Sequence, residues 1–87
     1  YCDFNNKNTV KLSNSILKQL DQLYYSTNRG LLDTNETPLY VVKNNKMDSI
    51  LIEAGFISDD SDLCYLKNYT NNVATAIAKG IKKSLNE

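Results

Sequence analysis

The pattern of hydrophobic and charged residues along the chain predicts three helices. Apolar side chains recur every three or four positions over residues 10–25, which is typical of a helix with one buried face. The same spacing returns over residues 70–85, where lysines lie towards the end of the segment and suit the negative end of a helix dipole. Acidic residues at 59–62 favour the start of a further helix, because carboxylates stabilise the positive end of the dipole.

Three short segments have the composition of β-strands. Residues 1–4 alternate apolar and polar positions, residues 39–42 are aromatic and β-branched, and residues 49–56 contain three consecutive aliphatics typical of an interior strand. The order strand, helix, strand, strand, helix, helix predicts an α/β fold. We expect a partial three-layer sandwich, with a short, mostly parallel sheet flanked by helices. Three strands make a thin sheet for two helical layers, so we interpret the chain as part of a larger domain. Its exposed sheet edge could pair with a second copy.

The composition excludes several classes of function. Ten basic residues balance ten acidic residues, and a formal net charge of zero argues against a nucleic-acid-binding surface. No apolar run approaches the ~20 residues needed to cross a bilayer, so we expect neither nucleic acid nor membrane as a partner. The chain has no histidine, and it cannot by itself assemble a His-based zinc site or a Ser–His triad. We interpret Cys2 and Cys64 as free thiols packed as small hydrophobic residues.

Glu53 is the strongest candidate for a catalytic residue in the sequence. It follows three aliphatic residues at the C-terminal end of a predicted central strand, where open α/β sheets bind their ligands. Apolar neighbours favour the neutral form of a carboxyl group, and such a group could act as an acid or a base. The alternative is a structural carboxylate that caps a nearby loop or pairs with Lys46 or Arg29.

Two further polar features have a functional and a structural interpretation. Arg29, the only arginine, precedes Gly30 at the end of the first predicted helix, and its planar guanidinium could hold an anionic ligand group. A solvated charge near helix carbonyls is the commoner role of such a residue. The cluster of Asp59, Asp60 and Asp62 resembles the start of a calcium loop, but the sequence after it lacks the glycine and the closing glutamate of such a loop. We therefore interpret them as a solvated helix start.

Five short motifs follow one another along the chain. They are Arg-Gly at 29–30, Leu-Tyr-Val-Val at 39–42, Lys-Met at 46–47, Ile-Leu-Ile-Glu-Ala-Gly-Phe-Ile-Ser at 50–58 and Ala-Ile-Ala-Lys-Gly-Ile at 76–81. In this order they closely resemble the C-terminal half of zinc-dependent N-acetylmuramoyl-L-alanine amidases, the amidase-3 type of cell-wall hydrolase and phage endolysin. The resemblance covers nearly the whole chain. It departs from the family at Asp48, where a proline is usual, and in a slightly longer connection over residues 30–38.

The resemblance implies that residues 1–87 are the C-terminal half of a single peptidoglycan amidase catalytic domain. The implied reaction is hydrolysis of the amide bond between N-acetylmuramic acid and the L-alanine of the stem peptide, with Glu53 acting on a zinc-bound water. The family's zinc ligands, His, Glu and His, lie upstream of the matching part. Zinc is thus expected in the complete domain, whereas this chain alone should bind none and be inactive.

Two classes of function remain open at this point. As an enzyme portion, the chain would have peptidoglycan and the upstream half of its domain as partners, with Arg29 as a substrate contact. Its place of action would be extracellular or in the bacterial cell wall, as part of an endolysin, an autolysin or a spore enzyme. As an alternative, the chain would be a non-catalytic cell-wall-binding or regulatory module with a degenerate amidase fold.

Overall fold

Four helices make up the regular structure of residues 1–43 and 45–86. The computed structural model describes residues 1–43 and 45–86. Within them the helices are α1 (Lys7–Asp21), α2 (Tyr40–Lys43), α3 (Asp60–Asn68) and α4 (Thr70–Leu85). No helix in these ranges has both the length and the apolar character that crossing a membrane requires.

The three longer helices confirm the helices predicted from the sequence. α4 covers the predicted residues 70–85, and α1 covers most of the predicted residues 10–25. α1 begins earlier than predicted because the side chain of Asn6 caps it, accepting hydrogen bonds from two backbone N–H groups of the first turn. α3 begins after Asp59, whose carboxylate accepts a hydrogen bond from the backbone N–H of Asp62.

The hydrophobic core lies between α1 and α4. Ile16 and Leu20 of α1 are buried against Val73 and Ala76 of α4. The extended segment between α2 and α3 adds partly buried aliphatic side chains to the same core. Each fully buried large aliphatic side chain stabilises the fold by roughly 1.5–3 kcal/mol, so the packing of α1 on α4 is a main source of stability.

The predicted α/β sandwich is wrong. The described residues contain no sheet, and the fold is helical, with a single isolated parallel bridge between Cys2 and Asp33. Residues 39–42 lie mostly in α2, and residues 49–56 are extended but form no ladder. Strand propensity reflects packing against neighbouring strands, and neither segment has such a neighbour along its length.

Backbone pairing among the extended segments is too short to form a sheet. The Cys2 N–H donates to the Leu32 carbonyl, and the Cys2 carbonyl accepts from the Thr34 N–H, each at 3.0 Å. Tyr1 and Leu51 exchange both of their backbone hydrogen bonds, at 2.7 and 2.9 Å. Each pairing ends after one or two residues. The sheet edge expected to join two copies therefore has no counterpart in the described part of the chain.

The two cysteines are both free thiols, as predicted. Cys2 is fully buried and packs as a small hydrophobic residue. Cys64 is exposed on α3, where the Asn68 side-chain amide donates to its Sγ at 3.3 Å. The packing prediction is thus right for Cys2 and wrong for Cys64.

Candidate functional site

Glu53 lies on the exposed side of the extended segment between α2 and α3. Its neighbours Ile52 and Ala54 pack against the core, and successive side chains of an extended chain point to opposite sides. The Glu53 side chain therefore points away from the core and is exposed. It makes no hydrogen bond or ion pair within the described residues, so the alternative of a structural partner at Lys46 or Arg29 is not found there.

A cleft of about 140 Å³ contains both sequence-predicted site residues, Glu53 and Arg29. One face of α1 forms a wall of this cleft, and residues 26–32 and 50–56 form the remainder. In the α1 wall, the buried hydroxyl of Ser13 has no hydrogen-bond partner among the described residues. Buried polar groups are normally paired, so this hydroxyl is an exception within the core.

Arg29 extends over the ring of Phe56. Its guanidinium carbon lies 5.2 Å from the centre of the Phe56 ring, within the range of a cation–π interaction. The turn that carries Arg29 is closed by the Gly30 N–H, which donates to the Asn28 side chain at 2.8 Å. Gly30 has a φ of +74°, as expected for a glycine in a left-handed turn. The guanidinium is thus held at the cleft while its N–H groups remain exposed.

Two side chains hold the backbone just after Glu53, and we call this arrangement the Tyr25–Asp62 clamp. The Tyr25 hydroxyl donates to the Ala54 carbonyl at 2.5 Å. The Asp62 carboxylate accepts from the Phe56 N–H at 3.0 Å. The turn that follows Glu53 is therefore fastened at two points by residues from different parts of the chain.

Burial and charge around the clamp affect the Tyr25 hydroxyl. Burial, followed by the negative charge of Asp62 and then by Tyr65, raises the pKa of Tyr25 above its usual value of 10.0. The hydroxyl consequently stays protonated at neutral pH and can donate its hydrogen bond. Tyr65 also stacks on the Tyr25 ring, with centroids 4.4 Å apart and an interplanar angle of 3°.

Sequence reasoning proposed Glu53 and Arg29, which both line the cleft, but missed the clamp. Asp62 belongs to the acidic residues 59–62 that were interpreted as a solvated helix start, yet only 4% of its surface is exposed. The spacing of Asp59 and Asp62 is that of a capping box, in which an acidic residue three positions after the cap turns back to a backbone N–H. That spacing predicts that the Asp62 side chain accepts a hydrogen bond from a backbone N–H, but it does not identify the Phe56 N–H as the donor.

The residues present do not form a zinc site. The sequence contains no histidine. In residues 1–43 and 45–86, no group of three or more Cys, Asp or Glu side chains is placed to hold a metal ion. A catalytic zinc needs three protein ligands, so the zinc that the sequence resemblance implies does not fit the residues of this chain.

Comparison with known proteins gives two matches. Residues 1–83 match the family model described as N-acetylmuramoyl-L-alanine amidase. The chain is also 33% identical over 81 residues to the uncharacterized protein YqiI of Bacillus subtilis (strain 168). That match covers 91% of this chain and 38% of the relative, so the chain spans well under half of the relative's length. No solved structure matches the chain.

Proposed function

The chain belongs to the N-acetylmuramoyl-L-alanine amidase family, and on that premise we propose that it is the C-terminal half of a peptidoglycan amidase catalytic domain. The bond that the complete domain hydrolyses is the amide between N-acetylmuramic acid and the L-alanine of the stem peptide. Its place of action is the bacterial cell wall or the extracellular space. The observation that carries the proposal is the cleft in which Glu53 and Arg29 lie together.

Glu53 is the acid and base of the proposed reaction. Glu53 lines the cleft, and its side chain is exposed and has no hydrogen bond or ion pair within the described residues, so the carboxylate is available to a water molecule. It takes a proton as the water oxygen attacks the amide carbon. It then delivers that proton to the nitrogen of L-alanine as the carbon–nitrogen bond breaks. The products are the lactyl carboxylate of the saccharide and a free stem peptide.

Arg29 is the proposed contact to an anionic group of the substrate. Its guanidinium rests on the Phe56 ring, which leaves the N–H groups at the edge of the cleft free for a planar acceptor. A carboxylate accepts two parallel hydrogen bonds from such a fork. Peptide carboxylates are present in the substrate class, so Arg29 suits recognition of the stem peptide.

Zinc belongs, in this proposal, to the upstream half of the complete domain. The absence of histidine from the sequence and the lack of a ligand cluster in residues 1–43 and 45–86 support this assignment. What this chain contributes is the Glu53 carboxylate, the Arg29 guanidinium and the scaffold that places them in one cleft.

The proposal is tested with the parent protein, which is this chain preceded by its native upstream sequence. Purified peptidoglycan is digested in the presence of zinc, and the products are identified by mass spectrometry. The wild type should release stem peptides that begin with L-alanine. Glu53→Gln should lower this release by at least about 100-fold, because it removes the proton acceptor while keeping the shape of the side chain.

Glu36→Gln is the matched control for this experiment. Glu36 is exposed, lies outside the cleft and makes no side-chain hydrogen bond within the described residues, so its replacement should leave the release unchanged. A wild-type parent that binds the saccharide but releases no stem peptide would contradict the enzyme proposal. That result would favour the non-catalytic cell-wall-binding module instead.

A further inference from the structure

We infer that Tyr25 and Asp62 are positioning residues, which set the direction of Glu53 and hold the Phe56 ring beneath Arg29. The inference deepens the proposed function and rests on it, since it concerns the carboxylate assigned there as acid and base. Glu53 has no hydrogen bond or ion pair of its own within the described residues. Its direction therefore depends on how its backbone is held.

Tyr25 holds the peptide group that joins Ala54 to Gly55, the second after Glu53. Its hydroxyl donates to the Ala54 carbonyl, which fixes the plane of the peptide bond that follows. The Tyr25 ring is itself held by stacking on Tyr65, which in turn stacks on Tyr69 with centroids 4.8 Å apart. The rings of Tyr65 in α3 and of Tyr69, between α3 and α4, thus hold the Tyr25 ring in place.

Asp62 holds the next peptide group, which joins Gly55 to Phe56. Its carboxylate accepts the Phe56 N–H at 3.0 Å, while its own backbone N–H donates to the Asp59 side chain. Asp62 is buried in the first turn of α3, where the helix dipole favours a negative charge. A charged acceptor makes this hydrogen bond about twice as strong as one between neutral groups.

Gly55 allows the turn to lie directly on α3. A Cβ at this position would lie 3.0 Å from Leu66 Cδ1 and 3.2 Å from Asp62 Oδ2, closer than ordinary contacts. The backbone between the two hydrogen bonds is therefore packed against the residue that makes one of them. Residues 54–56 have little freedom to shift relative to α3.

The clamp acts on both candidate site residues at once. Ala54 follows Glu53 directly, and Phe56 carries the ring under the Arg29 guanidinium. A shift of the turn would therefore move the acid and base and the anion contact together. Because a misplacement of about 1 Å can cost roughly 100-fold in rate, these backbone hydrogen bonds are a means of controlling catalysis without touching the substrate.

Tyr25→Phe in the parent protein is the sharpest test, because it removes the hydroxyl and keeps the stacked ring. With soluble muropeptides as substrate, we expect kcat to fall by about tenfold. KM should stay within about twofold, because Asp62 still holds the Phe56 N–H in this variant and with it the ring under Arg29. Tyr69→Phe is the matched control. Tyr69 belongs to the same stack, but its hydroxyl makes no hydrogen bond within the described residues, so kcat should not change.

Asp62 is tested by a pair of substitutions. Asp62→Ala removes the acceptor and should lower kcat further than Tyr25→Phe, whereas Asp62→Asn keeps an acceptor oxygen and should recover part of the loss. All rates are measured at a temperature at which circular dichroism shows every variant to be fully folded. Equal kcat values for Tyr25→Phe and Tyr69→Phe, or for Asp62→Ala and the wild type, would overturn the positioning role.

Hydrogen exchange separates this inference from the proposed function. The Phe56 amide should exchange slowly in the wild type and at least about tenfold faster in Asp62→Ala, because the hydrogen bond to the carboxylate is lost. Unchanged exchange would overturn the clamp whatever the activity. A wild type that releases no stem peptide would contradict the proposed function and, with it, the catalytic part of this inference, even if the exchange result holds.

Discussion

Asp33 joins the N-terminal segment to the loop that follows α1 by accepting three hydrogen bonds. They come from the Phe4 N–H at 3.2 Å, the Asn35 N–H at 3.1 Å and the Asn35 side-chain amide at 2.9 Å. The same Asn35 amide also donates to Asp3 at 2.7 Å. Desolvation acts to raise the pKa of Asp33, but the hydrogen bonds from Asn35 and Phe4 outweigh it and hold the pKa below its ordinary value.

Replacing Asp33 with asparagine should make the fold less sensitive to acid. The native pKa lies below the ordinary value of 3.8, so the charged carboxylate contributes stability above that value. The contribution is lost as the pH falls through 3.8 towards the native pKa. Between about pH 6 and about pH 3, the free energy of unfolding should therefore fall more in the wild type than in Asp33→Asn. Urea unfolding at each pH measures this difference.

Glu36→Gln serves as the control for the acid experiment. It removes an exposed carboxylate whose side chain accepts no hydrogen bond within the described residues, and it should keep the acid sensitivity of the wild type. An Asp33→Asn variant that loses as much stability as the wild type on acidification would contradict the prediction.

Two residues of the candidate site, Glu53 and Arg29, could be proposed from the sequence alone. Glu53 follows an apolar run and Arg29 precedes a glycine, and both patterns are local. The Tyr25–Asp62 clamp could not be predicted, because the Tyr25 bond to Ala54 joins residues 29 positions apart and no local pattern specifies it. The burial of Asp62 likewise depends on how α3 packs against the turn.

At the scale of secondary structure elements, the helices could be predicted and the strands could not. The spacing of apolar residues in α1 and α4 specifies which face is buried wherever the helix packs. A strand is stabilised by its neighbours, so the aliphatic run before Glu53 and the aromatic run after Pro38 are compatible with several structures. One became an extended segment paired at a single residue, and the other became the short helix α2.

The contact between α1 and α4 depends on Gly80. A Cβ at this position would lie 2.5 Å from Ile16 Cα and 2.8 Å from its backbone N, so the two helix backbones approach as closely as a glycine allows. The hydroxyl of Ser15 donates to the Gly80 carbonyl at 2.7 Å in the same contact. Because backbone atoms cannot move aside as a flexible side chain can, any larger residue must separate the helices.

Gly80→Ala should therefore destabilise the fold, although alanine is the better helix former. The clash is with backbone atoms, so separating the helices costs about 2–3 kcal/mol, the upper end of the range for overpacking. The gain in helix propensity of about 1 kcal/mol offsets only part of this cost. We expect a net loss of about 1–2 kcal/mol in the free energy of unfolding, measured by urea. Thr75→Ala, on the exposed face of α4, should be neutral or slightly stabilising. A Gly80→Ala variant as stable as the wild type would show that the helices do not approach so closely.

At the scale of the whole molecule, the chain combines a small core with a site that is open to solvent. The described residues measure 34 × 30 × 18 Å, and large apolar side chains such as Tyr24, Tyr40 and Ile57 are about 80% exposed or more. Glu53 and Arg29 line the cleft, but the described part of the chain has no cluster of metal ligands. In the proposed reaction, this chain would supply proton transfer and anion binding, and other residues would supply the metal.

If this chain supplies proton transfer and other residues supply the metal, the 87-residue chain alone should neither bind zinc tightly nor cleave peptidoglycan. After dialysis against zinc, elemental analysis should find far less than one equivalent bound, because the chain lacks histidine and a catalytic zinc needs three protein ligands. Incubation with peptidoglycan should release no stem peptide, and adding the upstream half of the domain should restore release by the wild-type chain. The same mixture made with Glu53→Gln is the control and should remain inactive, since the proton acceptor is missing. Release of stem peptides by the chain alone, abolished by Glu53→Gln, would contradict this prediction and would mean that this cleft performs the whole reaction.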